Sequence, residues 1–367
     1  MKKLLCLILA VLCVISLTAC GQTEKPADSA DGTKPATQPT TTQPTTAPTV
    51  PTTAPTVPTT APTVPTTAPT VPTTAPTVPT TVPPTEPPEV SGFDPKGNKT
   101  WAEDGVLKIL TIGNSFSRDA MAYVYDIAYA AGAKDVYLGD MYIGSCTIEK
   151  HLTNAMEDNG AYSYFTNEMG KWVEHTKHKM SDAIKSQNWD FISIQQNSKN
   201  SGLPETYAGL QELVNIIKSQ ATNPKVEIMW HMTWACANSY TGDLFAYYQM
   251  DQVTMYNAIV DSVKKGVFPV EGITRVIPNG TIMQNIRSSY YGDNICRDGL
   301  HLSLPHGRIL AGIGIVASTI GIDWDTIDLT DVHSKLADDD KFIQVALESV
   351  KNAMENPYQI TQSKITK

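Results

Sequence analysis

The 367-residue sequence predicts an α/β fold over residues 91–367, with a parallel sheet lying between two layers of helices. Two observations carry this. Short runs of β-branched and aliphatic residues alternate with stretches of helical apolar spacing, and the first such run ends in a tight turn directly before a helix. The first strand is expected over 106–112, the turn at Gly113, Asn114 and Ser115, and a helix over 119–131. A second strand follows over 136–141. The aromatic stretch 162–176, broken by Glu168, Met169 and Gly170, reads as a hairpin inserted near it, as edge packing or as a lid. A buried strand over 191–196, a helix over 203–219 and a strand over 226–230 come next. A helix over 243–264, a strand over 276–278 and a helix over 305–321 complete the alternation. A last helix-like stretch, 338–356, packs either on the core or against another chain. In sheets wound this way, function sits at the carboxyl ends of the strands.

Composition differs sharply along the chain. Of the 25 prolines, 18 fall between Pro26 and Pro88. Residues 1–88 hold four basic and four acidic side chains, so the formal charge of -9 belongs to the remainder. An acidic domain without long Lys/Arg runs offers no electrostatic footprint for a phosphate backbone, which excludes nucleic-acid binding as a leading class.

The N-terminus has Lys2 and Lys3, an apolar run over 4–17 and small residues up to Cys20. That run is too short to span a bilayer and reads as a secretion leader over 1–19. The stretch Leu17-Thr18-Ala19-Cys20 resembles the bacterial lipoprotein box, which implies that Cys20 is lipidated and becomes the new N-terminus. The alternative is an ordinary leader with a coincidental Cys. Residues 20–90 form a Pro/Thr-rich disordered linker in which Pro-Thr-Thr-Ala-Pro-Thr-Val repeats from Pro44 to Val78. In polyproline II geometry such a spacer reaches on the order of 150 Å. The expected location is the extracellular face of the bacterial cytoplasmic membrane, with contact to the membrane through the lipid anchor only.

Two segments carry chemistry. Ser115 stands just past the first strand, where a turn into a helix lifts a hydroxyl above the sheet edge; the bland alternative is a helix cap. Near the other end, Arg297-Asp298-Gly299-Leu300-His301-Leu302-Ser303 precedes a helix, with Ser303 and Pro305 placed to start it. Asp298 and His301, three apart across a Gly-containing turn, can place a carboxylate on one imidazole nitrogen while the other faces a cleft. Taken alone, that is as consistent with an ordinary Asp and a surface His.

Together, Gly-Asn-Ser after the first strand and Asp-x-x-His before the last helix resemble blocks I and V of the SGNH (GDSL) hydrolases. The resemblance extends over residues 107–321. The phrases around Ser115, over 189–198 and around His301 are similar to an uncharacterised SGNH subfamily of bacterial secreted proteins. It implies a flavodoxin-like three-layer α/β/α sandwich, with Ser115 as nucleophile, His301 as base and Asp298 as its orienter. It also implies an oxyanion hole from the Ser115 N–H, a block II Gly that maps onto Gly144, and a block III amide. The usual Gly-x-Asn-Asp of block III is missing. Gln195, Gln196, Asn197 and Ser198 stand there instead, and the carbohydrate acetylesterase branch is similar in having a Gln. Strand alternation puts Ile192, Ile194 and Gln196 on one face, which favours Gln196 over Gln195 and Asn197. The implied activity is hydrolysis of small acyl, above all acetyl, esters on carbohydrate, with no metal or organic cofactor. The rivals are a lipase or thioesterase acting on longer chains, and an inactive carbohydrate-binding protein on the same scaffold.

Further positions expected to touch substrate are Asn114, Gln195, Asn197, His151 and Trp234. Trp230, His231 and Trp234 follow the fourth strand, where they line either the cleft mouth or the core. Cys146, Cys236 and Cys296 lack metal-ligand spacing and read as small buried residues or as one disulfide, Cys146 with Cys296. His175 and His178, on a Lys-rich stretch, read as a solvated face rather than a metal pair.

Overall fold

The computed structural model describes residues 99–336 and 339–365. The expected leader (1–19), Cys20 and the Pro/Thr-rich linker (20–90) lie outside the described residues. In chain order the elements are α1 (Lys99–Asp104), β1 (Val106–Gly113), α2 (Ser115–Met121), α3 (Val124–Ala130), β2 (Asp135–Tyr142) and α4 (Ile148–Glu157). Then come β3 (Tyr162–Glu168), β4 (Lys171–His178), α5 (Met180–Lys185), β5 (Phe191–Ile194), α6 (Leu210–Gln220) and β6 (Glu227–His231). The chain continues with α7 (Gln252–Gly266), β7 (Ile273–Ile277), α8 (Asn279–Arg287), α9 (His306–Thr319), α10 (Thr330–His333) and α11 (Asp340–Glu355).

The sheet runs in the order β4-β3-β2-β1-β5-β6-β7. From β2 to β7 the neighbours are parallel, and the β3–β4 hairpin adds antiparallel strands at the β2 edge. The inserted hairpin is therefore an edge extension of the sheet. Successive residues of β1 alternate between two cores, as the two-residue period of a strand requires. Leu107 and Ile109 pack with α2, α3, α8, α9 and α11, whereas Leu110 and Ile112 pack with α4, α5, α6 and α7. The architecture is a three-layer α/β/α sandwich.

Register aligns the carboxyl ends of the parallel strands. Ile112 pairs with Ile194, Ile194 with Trp230, and His231 with Ile277. The chain leaves β1 toward one face and β5 toward the other, which opens a crevice at that junction. Ser115 stands at that crevice.

Several expected boundaries shift for local reasons. The helix expected over 119–131 begins at Ser115, because the Asn114 side chain accepts the Phe116 N–H as a cap, and it breaks at Tyr123. The helix expected over 243–264 is split where Gln249 and Met250 take φ of +59° and +56°. Asp251 then caps α7 by accepting the Thr254 N–H. Helices α4 and α8 were not expected. The last helix buries Phe342, Val345 and Val350 against α8 and α9, which settles its packing on the core.

Candidate active site

Two tight loops meet above the β1–β5 junction. The first is the turn at Gly113–Ser117. A Cβ on Gly113 would lie 2.8 Å from Ser117 Oγ and 3.0 Å from Gln195 Cδ, so only glycine lets the turn close this tightly. Asn114 sits at φ -143°, caps α2 through its side chain, and delivers half-buried Ser115 to the rim.

The second loop spans 295–303 and is pinned at its base. Cys296 bridges to Leu302, and the Arg297 and Ser303 N–H groups donate to His301 O and Ile295 O. Gly299 turns it at φ +78°, with Tyr240 so close that a Cβ would meet its Cβ at 2.9 Å. Asp298 Oδ1 accepts the N–H groups of Leu300 (2.9 Å) and His301 (2.6 Å). Its Oδ2 lies 2.7 Å from His301 Nδ1, and His301 Nε2 lies 3.0 Å from Ser115 Oγ. Burial pushes the Asp298 carboxyl up, but the His301 N–H, the imidazole and the Leu300 N–H outweigh it and hold the group below the usual carboxylate range. An ionised Asp298 fixes the proton on Nδ1, leaving Nε2 to accept from the Ser115 hydroxyl. Ser115, His301 and Asp298, 186 residues apart at their extremes, are thus joined in one series of hydrogen bonds.

What locks the two loops together is a carboxylate that sequence reasoning did not single out. Asp119, on the α2 turn after Ser115, is 1% exposed. It pairs with Arg297 (3.2 Å) and Arg308 (2.7 Å) and accepts the Leu302 N–H at 2.9 Å. Arg297 also donates to Leu302 O. The only available signal was an acidic residue four positions after the candidate nucleophile, on the same helix face.

Gly144 lies exposed in the loop 143–146, which is tied to the nucleophile turn by Ile143 N–H to Gly113 O (3.2 Å) and by Asn114 Nδ2 to Cys146 O (3.2 Å). Gln196 does not meet its expectation. Its Nε2 donates to Thr206 O (3.0 Å) and Thr206 Oγ1 (3.2 Å), and its Oε1 accepts from Ile148 and Asn197 N–H, so both ends of the amide are engaged away from Ser115. Asn197 is the amide beside Gly144. Its Nδ2 donates to Ser145 O at 3.0 Å, its Oδ1 accepts the Asn200 N–H at 3.0 Å, and the residue is 9% exposed.

Four expected substrate contacts are corrected by burial. Trp234 is 0% exposed; it stacks on Phe116 with ring centroids 4.1 Å apart, and its Nε1 donates to Leu300 O at 2.9 Å. It is a strut between the two loops. His151 is 1% exposed, bonded to the Tyr162 hydroxyl at 2.9 Å, and burial pushes its pKa down to about 3. Gln195 is 2% exposed with both ends of its amide bonded inside the protein. Asn114 is also buried, as the cap of α2. Cys146, Cys236 and Cys296 are free thiols, the first two buried, as the reading as small buried residues has it; the alternative Cys146–Cys296 bridge is absent. Burial pushes the first two up to about 12. His175 is exposed on β4 and bonded to Thr166 Oγ1.

Residues 108–331 match the family described as "Domain of unknown function (DUF4886)". A crystal structure of a DUF4886 family protein from Bacteroides uniformis is 34% identical, with 70% of this chain and 98% of that one covered and a TM-score of 0.65. A putative SGNH hydrolase from Slackia heliotrinireducens is 16% identical over 58% of this chain and 98% of that one, with a TM-score of 0.38. An acetylxylan esterase from Geobacillus stearothermophilus, solved as a catalytic mutant, is 14% identical over 59% and 95%, also with a TM-score of 0.38. No curated protein matches the sequence.

Proposed function

The chain belongs to the DUF4886 family, and from that premise we propose that it is a serine esterase of the SGNH type, removing acetyl or similarly small acyl groups from carbohydrate at the cell surface. The observation that carries the reading is the continuous Asp298–His301–Ser115 series, at 2.7 Å and 3.0 Å, at the carboxyl edge of the sheet.

In this mechanism His301 Nε2 takes the Ser115 hydroxyl proton as Oγ bonds to the ester carbonyl carbon. The carbonyl π pair moves onto oxygen, where the Ser115 and Gly144 N–H groups and the Asn197 amide receive the negative charge. Asn197 takes the place first expected for Gln196. As the tetrahedral intermediate collapses, the C–O bond to the alcohol breaks and His301 returns the proton to the departing oxygen. Water, losing a proton to His301, then attacks the acyl-enzyme; collapse releases the acid and restores Ser115. Asp298 keeps its charge throughout and stabilises the imidazolium.

The open rim favours small acyl groups over long chains: Gly144, Ser145, Arg297 and Asp298 are all exposed beside a half-buried Ser115. The carbohydrate assignment rests on the lipobox-like Cys20 and the long Pro/Thr spacer, which suit an enzyme held out toward surface polymers. The test is hydrolysis of p-nitrophenyl acetate and butyrate, and acetate release from acetylated xylan, by wild type, Ser115→Ala and His301→Ala. A loss of about 10³-fold or more in both variants, with acetate preferred to butyrate, is the expected result. Wild-type turnover no faster than Ser115→Ala across acyl lengths defeats the reading.

A further inference from the structure

Beneath the nucleophile turn lies a polar cluster that takes no part in the proton transfers above. Asn114, Gln195, His231 and Asn279 follow or end four adjacent parallel strands, β1, β5, β6 and β7, and none is more than 2% exposed. Their side chains form one unbroken series of hydrogen bonds across the carboxyl edge of the sheet.

The direction of that series is fixed at both ends. Asn279 Nδ2 lies 3.4 Å from Ala311 O and 2.9 Å from His231 Nε2. A carbonyl can only accept, so the nitrogen end of Asn279 faces it, and His231 Nε2 must accept as well. Burial keeps this imidazole neutral, with its pKa pushed down to about 3, so its single proton is on Nδ1. Nδ1 lies 2.9 Å from Gln195 Oε1, and Gln195 Nε2 donates to Asn114 Oδ1 at 2.9 Å. Asn114 Oδ1 also accepts the Phe116 N–H, and Asn114 Nδ2 donates to Cys146 O. Each member's other orientation would set donor against donor or acceptor against acceptor. In a buried site that leaves groups unpaired, at about 1–3 kcal/mol each in general.

We propose that Gln195, His231 and Asn279 are positioning residues that fix the amide orientation of Asn114, and through it the placement of the Ser115 turn against the Gly144 loop. The proposal rests on the esterase reading for its kinetic consequence, because those two segments supply the backbone oxyanion donors. A flipped Asn114 would turn its NH₂ toward the Phe116 N–H and its oxygen toward Cys146 O. The helix cap and the loop tether would be lost together.

The test uses the full-length protein and p-nitrophenyl acetate. His231→Leu and Gln195→Leu are expected to lower kcat by about 10- to 100-fold, the usual loss when a buried orienting partner is removed, with KM changed by less than about twofold. His231→Asn, whose amide N–H can replace Nδ1–H toward Gln195, is expected to recover most of the loss. In an Asn114→Ala background, His231→Leu should cost less than about twofold more, since the group it acts through is gone. Equal losses in both backgrounds, no recovery by His231→Asn, or a change in KM alone would overturn the proposal.

A second measurement needs no turnover and also serves if a variant fails to fold. In ¹⁵N-labelled wild type, His231 should show the neutral Nδ1–H tautomer with a slowly exchanging proton, and an Nε2–H tautomer would sink the idea. Wild-type turnover no faster than Ser115→Ala would remove the esterase reading and leave the tautomer measurement to decide the hydrogen-bond series.

Discussion

His301 and His231 both make two hydrogen bonds through their ring nitrogens, yet they belong to regions with opposite physics. His301 sits on an exposed loop, with an ionised carboxylate on one side and a hydroxyl at the rim on the other. His231 is enclosed by neutral amides, and with no counter-charge beside it burial suppresses its protonation. A histidine becomes a base through a neighbouring charge and access to substrate, because two hydrogen bonds alone make it only a rigid neutral spacer. The comparison can be broken from either side.

The largest expected effect is on the exposed loop, through the carboxylate beneath it. Asp119→Ala leaves Arg297 and Arg308 facing each other without a counter-ion and the Leu302 N–H without an acceptor. Losing one partner of a buried ion pair costs about 3–5 kcal/mol. Both arginines are about one-third exposed (35% and 29%) and can turn to water, which puts this case near the low end. Urea unfolding should show a loss of about 3 kcal/mol, with turnover falling further than stability alone accounts for. A stable Asp119→Ala protein with normal kcat would mean that the loop holds His301 without this anchor.

The proposed oxyanion donors come next. Asn197→Ala removes the amide proposed to face the oxyanion and should lower kcat by about 10²–10³-fold, while the lost acceptor for the Asn200 N–H and lost donor to Ser145 O lower stability by about 1–3 kcal/mol. Gln196→Ala should match it in stability but not in kinetics: it strips acceptors from the Ile148 and Asn197 N–H groups, so stability falls by about 1–3 kcal/mol while kcat falls less than in Asn197→Ala. Thermal melts paired with steady-state kinetics separate the two. If Gln196→Ala carries the larger kinetic loss, the oxyanion assignment reverts to Gln196.

That pair of residues also shows where the sequence stops being legible. Alternation along β5 does place Gln196 on the Ile192/Ile194 face. The strand ends at Ile194, however, and alternation reports a face without reporting depth or partner. Ser115, Asp298 and His301 were legible because each lies in a short turn whose glycine and spacing encode its geometry locally. Trp234 and His151 were misread because a residue just past a strand can turn down into the core as readily as up to the rim. The Asp119 ion pairs span 178 and 189 residues and the Gln195–Asn114 bond spans 81. Such contacts are set by how elements pack, which a single sequence does not record. The layered fold was legible because alternating strands and helices leave few ways to bury both sheet faces; the breaks at Tyr123 and at Gln249–Met250 were not, since apolar spacing continues through them.

The smallest expected effect sharpens the comparison from the buried side. An unfolded histidine titrates near 6.5, whereas His231 and His151 are held down to about 3 in the folded protein. Between those values the unfolded chain binds the extra protons and the folded one does not, so stability must fall as pH falls. The contribution is fully present above about pH 6.5 and is lost progressively toward pH 3, with a limiting slope of about 1.4 kcal/mol per pH unit for each histidine. His231→Asn removes one such proton, so a plot of unfolding free energy against pH from 4 to 6 should flatten by about that amount. Asp298 works in the same direction at lower pH: its folded pKa is depressed, so what it contributes is present above the ordinary carboxylate value and lost as pH drops through the folded one. Its effect therefore falls below the window in which His231 is read. An unchanged slope in His231→Asn would show that the wild-type imidazole protonates in place, which requires a counter-charge or an opening at the centre of the sheet edge.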